Sequence, residues 1–276
     1  MAMGRKKIIL LALVVLLIQV RPPSGWAVNF YDGSRAKQGL YFLTYTSFYY
    51  ADEFADRHGD PVKKDFGLFN AQEMLRLCYY SPNFVATALI PFGYTDIHSL
   101  HEGSAGLGDI NLGAGYFLPI QQIDILPMLF VKFPTGEYDA ARPVNIGANQ
   151  YDIKPVVFLH KTLDKFSLDA AAKYHIRLEN SDTHVRPGDE FYLQCLLGYH
   201  LTDKLKFGPS LNWMISREKE QNGTAVDGTA RESFSAGADI YYRFSRLSVT
   251  LTYLYDFYAE NLPQGHFFQI KTVYRF

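Results

Sequence analysis

The chain has 276 residues, with 27 Lys and Arg against 28 Asp and Glu and a formal net charge of −1, a balance that argues against nucleic acid as a partner. Aromatic residues make up 16% of it, and 20 Tyr with 21 Phe are more than a soluble core needs but suit two aromatic girdles at membrane interfaces. Only Cys78 and Cys195 are present; a secreted route would permit a bridge between them, which needs Cα atoms within about 7 Å and is not expected of strands far apart, and without CxxC or Cys/His ligand spacing there is no metal site to assign.

The first element is a leader. Arg5, Lys6 and Lys7 precede an apolar run over 8–20, which Arg21-Pro22-Pro23-Ser24-Gly25 then breaks, in the order of a secretory signal peptide. The run is shorter than the roughly 20 residues of a spanning helix. Gly25 and Ala27 put small residues where a signal peptidase reads, so residues 1–27 are expected to be removed and the mature chain to begin at Val28. Sequencing the mature N-terminus tests this. Loss of Arg5, Lys6, Lys7 and Arg21 leaves 23 basic residues against 28 acidic ones, a net charge of −5.

Beyond Val28 the apolar residues recur with period two instead of in long blocks, which excludes helical spans and predicts strands. Twelve segments follow, near 38–50, 68–80, 84–93, 107–118, 123–133, 150–161, 166–177, 189–201, 205–216, 232–244, 247–258 and 266–276. In the seventh, Phe166, Leu168, Ala170, Ala172, Tyr174 and Ile176 oppose Ser167, Asp169, Lys173, His175 and Arg177. Such lengths match the 9 to 11 residues that cross a bilayer on a tilt and exceed the usual soluble strand. Two segments are less clean. The first is aromatic on both faces, and the second carries Glu73 among Phe69, Ala71, Leu75 and Leu77, which leaves a short helix over 71–77 open. Pro91, Pro127, Pro155 and Pro209 fall within strand patterns, where each removes a ladder hydrogen bond or marks a bulge. Cys78 and Cys195 read as small hydrophobes of their strands.

The connections alternate in length. Short ones lie at 81–83, 120–122, 162–165, 202–204 and 245–246; long ones lie near 51–67, 94–106, 134–149, 178–188 and 217–231, with a shorter one at 259–265. Outer-membrane barrels show this asymmetry, with short turns on the periplasmic side. A spanning sheet must also close, because each unpaired backbone group in hydrocarbon costs several kcal/mol. The expected fold is therefore all-β, a closed antiparallel transmembrane β-barrel of about 12 strands, with 10 to 14 admissible. In the last strand Phe268, Ile270, Tyr274 and Phe276 oppose Gln269, Lys271 and Arg275, and the terminal aromatics Tyr274 and Phe276 are expected to be read by the barrel-assembly machinery.

The run Gly106-Leu-Gly-Asp-Ile-Asn-Leu-Gly-Ala-Gly-Tyr-Phe-Leu-Pro119 resembles a signature of the outer-membrane, transporter-like family named for the meta-pathway of phenol degradation. So do Lys132-Phe-Pro-Thr-Gly-Glu-Tyr-Asp139, Arg186-Pro-Gly-Asp-Glu-Phe191 and Val273-Tyr-Arg-Phe276, and the likeness runs from about Gly39 onward. These are turn and strand signatures, so the resemblance implies a fold and a transporter-like role but no chemistry.

A hydrolase would need a nucleophile with a positioned base. No GxSxG occurs, and Ser104 with His98 and His101 nearby is the one arrangement to weigh; it reads as small loop residues. His58 reads as a solvated loop residue, and Asn222-Gly223-Thr224 as a turn. No catalytic residue, cofactor or metal is expected. The residues expected to line the lumen are Asp109, Asn111, Lys132, Asp152, Lys154, Asp169, Lys173, His175, Arg177, Lys206, Asp239, Arg243, Asp256, Lys271 and Arg275, with Tyr192, Tyr241 and Phe267 in the same register. Charged groups at membrane depth tend to line pathways. The expected function is passive or facilitated uptake of small, aromatic or hydrophobic molecules across the outer membrane, in contact with lipid and a small solute. The alternatives are an outer-membrane lipid hydrolase and a non-transporting structural or adhesive barrel.

Overall fold

The computed structural model describes residues 27–62 and 66–276. Apart from Ala27, the expected leader lies outside the described residues. The strands are β1 (Gly39–Ala55), β2 (Leu68–Tyr80), β3 (Phe84–Ile97), β4 (Glu102–Leu107), β5 (Asn111–Tyr116), β6 (Asp124–Lys132), β7 (Asp152–Leu163) and β8 (Phe166–Arg177). They continue with β9 (Val185–Arg186), β10 (Glu190–His200), β11 (Leu205–Ser216), β12 (Glu220–Gln221), β13 (Thr224–Ala225), β14 (Glu232–Arg243), β15 (Leu247–Glu260) and β16 (Leu262–Arg275). Strands β9, β12 and β13 form a small sheet among the loops. The others make one antiparallel sheet, which closes where β1 pairs with β16 from Tyr41↔Arg275 to Ala55↔Leu262. With β4 and β5 counted as one interrupted strand, the barrel has twelve.

Alternation in the sequence becomes inside and outside. The outward Leu77, Leu112, Leu193, Leu197, Leu211 and Leu251 are 45–50% exposed, a belt that only an apolar surrounding accommodates. Outward aromatics flank it, Tyr79, Tyr116, Phe166, Tyr242 and Tyr274 near the lower rim, where β1 begins and β16 ends, and Tyr50, Phe69 and Tyr94 near the upper rim. The second segment is strand β2 throughout and not a helix, since its backbone is paired on both sides by β1 and β3.

The register slips at Asp52 of β1 and at Phe257 of β15, opposite Phe234/Ser235, neither at a proline. Pro155 and Pro209 act differently. Around Pro155 the β7–β8 pairing lapses between Ile153↔Ile176 and Val156↔Lys173, and opposite Pro209 the β10–β11 pairing lapses between Leu196↔Ser210 and Tyr199↔Phe207, both without a change of register. A missing N–H thus opens the ladder locally and shifts nothing.

The expected loop at 259–265 is absent, and of the one expected at 94–106 only 98–101 lies outside β3 and β4. Residues 259–265 are strand except for Asn261, which reverses the chain at φ 51° and donates through Nδ2 to the carbonyls of Gly228 and Ala230. The strands reach this far because Ala259 and Leu262 bury against Ala55, Tyr192 and Met214 inside the upper rim. Similarly β1 and β3 run to Ala55 and Ile97, beyond the expected limits of 50 and 93.

The wall is weakest between β4 and β7. The upper half of β3 pairs β4 and its lower half pairs β5, while β6 pairs only β5 on that side and ends at Lys132. Above that point the 133–149 loop continues the wall through Phe133 N–H to Ile110 O, Glu137 N–H to Leu107 O and Gly147 N–H to Glu137 O.

Candidate functional site

The barrel is not hollow: residues 27–38, ahead of β1, fold up into it from the lower rim. Four buried residues, Ala27, Val28, Asn29 and Phe30, lead this plug. A turn over 29–34 compacts it, with Asn29 N–H donating to Asp32 Oδ2 and Asp32 N–H to the Asn29 carbonyl. Asn29 Nδ2 donates to Asp239 Oδ2 (3.1 Å) on β14 and Thr252 Oγ1 (2.9 Å) on β15. Tyr31 N–H donates to Asp169 Oδ1 (2.8 Å) on β8, whose carboxylate also meets His160 Nδ1 at 2.7 Å. Lys271 on β16 pairs with Asp32. Arg35 binds Asp124 through its backbone N–H and Nε, caps the Pro82 and Leu118 carbonyls and lies 4.7 Å over the Phe117 ring. Lys206 stands 4.4 Å over the Tyr31 ring. Phe30 packs on Tyr241 and against Gly198, where a side chain would collide with its ring.

A second polar cluster ties the wall above the plug. Lys132, fully buried, lies 3.2 Å from Asp109 and 3.0 Å from Asp152. Arg177 Nη1 donates to Glu190 Oε1 at 2.8 Å, Arg231 reaches the same oxygen at 2.5 Å, and Tyr192 OH donates to Glu190 Oε2. Lys154 Nζ donates to Asn111 Oδ1. Asp109, in the break between β4 and β5, also accepts from the N–H groups of Gly136 and Ala148, so it anchors the 133–149 loop across the gap in the wall. Nearer the upper rim Asp256 accepts from Tyr49 OH, Ser235 Oγ and Gly265 N–H.

Of the residues expected in the lumen, Asp109, Asn111, Lys132, Asp152, Lys154, Asp169, Lys173, Arg177, Lys206, Asp239, Asp256 and Lys271 are buried, as are Tyr192, Tyr241 and Phe267. His175 and Arg275 are partly buried, and Arg243 is exposed at the lower rim. Their contacts divide them into two groups. Asp169, Lys206, Asp239 and Lys271 hold the plug, whereas Asp109, Lys132, Asp152 and Arg177 hold the wall. The plug has no strand pattern and is too short to announce one, so no period marks it in the chain. Its one signal is the density of Asn29, Phe30, Tyr31, Asp32 and Arg35 ahead of the first strand. Arg76 was likewise hidden, because Met74 and Cys78 share its inward row.

Among the described residues, an upper and a lower cavity flank the plug. The upper one, about 160 Å³, lies between the plug tip and the wall cluster and mixes Tyr45, Leu89, Phe130, Val156 and Phe158 with Arg76, Lys154 and Lys173. The lower one, about 570 Å³, opens at the lower rim. Asp32 and Arg76 line both.

Ser104 sits in β4 facing inward, and among the described residues no hydrogen bond joins it to His98 or His101, which stack on each other in the turn over 98–101. Both cysteines are free thiols, Cys78 buried among Tyr41, Leu43 and Tyr80 and Cys195 on the outward row of β10.

A protein family described as "Putative MetA-pathway of phenol degradation" matches residues 51–272. None of the curated proteins matches the chain. Among solved structures, an outer-membrane channel from Pseudomonas putida F1 is similar with a TM-score of 0.81 and 18% identity, over 94% of this chain and 100% of that one. The translocator domain of the autotransporter NalP from Neisseria meningitidis follows at 0.53 and 12%, over 88% and 90%, and the NanC porin at 0.50 and 10%, over 85% and 100%. At such identities the likeness is one of fold.

Proposed function

Because the chain belongs to the phenol-degradation family just described and closes into a barrel with an apolar outer belt, we propose that it is an outer-membrane channel for small molecules. The observation that carries this reading is a pair of interior cavities, one beside the plug tip and one open at the lower rim, both lined by Asp32 and Arg76. A purely structural barrel has no need of two such spaces within its core. The aromatic and aliphatic share of the upper cavity suits a small solute with an apolar body. No cofactor is involved, and the solute is transported unchanged.

The lower rim faces the periplasm in this reading, so that the plug stands between the outside and the cell. The leader delivers the chain to the periplasm, the assembly machinery takes it up through Tyr274 and Phe276, and the outward belt meets lipid. The density of bonds on the plug favours a second reading, a closed barrel acting through its loops. Flux separates the two: purified mature chain in liposomes should admit small aromatic solutes and conduct ions. Liposomes as tight as protein-free ones, with the barrel folded in them, would sink the channel reading and leave the second.

A further inference from the structure

We propose that this conduit selects organic anions, with Arg76 as the specificity-determining residue, so that its solute is a small carboxylate bearing an apolar body. The inference deepens the channel reading and rests on it. It starts from the distribution of charge inside. The lower cavity is lined by Lys37, Arg76, Arg243, Arg246, Lys271 and Arg275, against a single acidic lining residue, Asp32, which Lys271 already engages. Composition does not explain this excess, since the chain beyond residue 27 carries more acids than bases. The acids of the interior are committed elsewhere: Asp109 and Asp152 to Lys132, Glu190 to Arg177 and Arg231, Asp169 and Asp239 to the plug. What remains toward the lower cavity is positive.

Arg76 lines both spaces. Its Nε donates to Thr87 Oγ1 at 2.9 Å and its Nη1 to Tyr45 OH at 3.2 Å, both uncharged oxygens, and no carboxylate among the described residues pairs with it. Those two bonds hold the guanidinium among the lining of both cavities and use neither of the Nη2 hydrogens. A fixed fork of N–H donors matches a carboxylate in a way an ammonium does not. Rings of Arg and Lys are the usual means of passing anions, and low-dielectric walls focus their field on the passage. Above Arg76, Tyr45, Leu89, Phe130 and Phe158 supply the surface for the rest of such a solute.

The test uses purified mature chain in liposomes and planar bilayers, with benzoate, benzyl alcohol and benzylamine as an anion, neutral and cation of similar size. Benzoate should enter about tenfold faster than benzylamine, and the reversal potential in a KCl gradient should show chloride favoured over potassium. Arg76→Gln should bring both ratios close to parity, and Arg246→Glu, at an exposed position in the mouth of the lower cavity, should lower them as well. Arg76→Lys should keep the chloride preference and lose benzoate flux, because the fork is gone. Heat-modifiability on gels checks that each variant is folded. Equal entry of benzoate and benzylamine, or ratios unmoved by Arg76→Gln, would overturn the anion inference and leave the channel standing. Passage of no solute at all would overturn the channel reading, and this inference with it.

Discussion

Glu73 faces outward in the row of Leu75 and Leu77, where its carboxyl accepts a hydrogen bond from Thr46 Oγ1 at 2.5 Å. An ionisable group on a lipid-facing row costs free energy, less for an acid than for Arg or Lys, and the Thr46 hydroxyl offsets part of that cost. Glu73→Leu is therefore expected to stabilise the barrel by about 1 kcal/mol, read as a higher urea midpoint in liposomes. Thr46→Val should lower the midpoint, because it leaves the carboxyl without its partner. A fall for Glu73→Leu would mean that the acid holds β1 to β2. Lys132 is the opposite case, a buried ammonium between two carboxylates, where the charge closes a network instead of burdening a surface.

At the scale of elements, the plug is held by side chains of β8, β14, β15 and β16 and by one notch, Gly198, against which the Phe30 ring packs. Gly198→Val should expel that ring and weaken docking by about 2 kcal/mol, roughly thirtyfold in the docking equilibrium. Residues 28–38 would then be cut faster by added protease and conductance would rise, with the barrel itself still resistant; unchanged cleavage would show that the notch does not hold the plug. Strands such as β8 and β10 were legible because burial on one face only imposes period two on the sequence. The end of β15 was not, since Ala259, Glu260 and Asn261 resemble loop, and only the packing of Ala259 and Leu262 on Met214 makes this stretch strand. Among site residues, the polar inward row was legible for the same reason as the strands. Its division into plug holders and wall holders was not, because partners such as Asn29 and Asp239 stand 210 residues apart and no local pattern couples them.

For the molecule as a whole, closure depends on the seam between β1 and β16, which ends with Phe276 N–H donating to the Leu40 carbonyl. Phe276 is 65% exposed at the lower rim, so a charge in its place costs only about 0 to 1 kcal/mol. Phe276→Lys should nonetheless reduce the amount of heat-modifiable, membrane-inserted protein well below that of a matched change in the 217–231 loop. Equal yields would show that the terminal aromatic carries no assembly signal. The seam also bears on timing. Thr252 and Lys271, which receive Asn29 and Asp32, lie 223 and 239 residues further along the chain, on the last two strands. Contacts that far apart carry the largest loop-closure entropy and form after local ones. The segment that precedes every strand in the chain is thus the last to find its place, and its burial reports that every later strand has arrived.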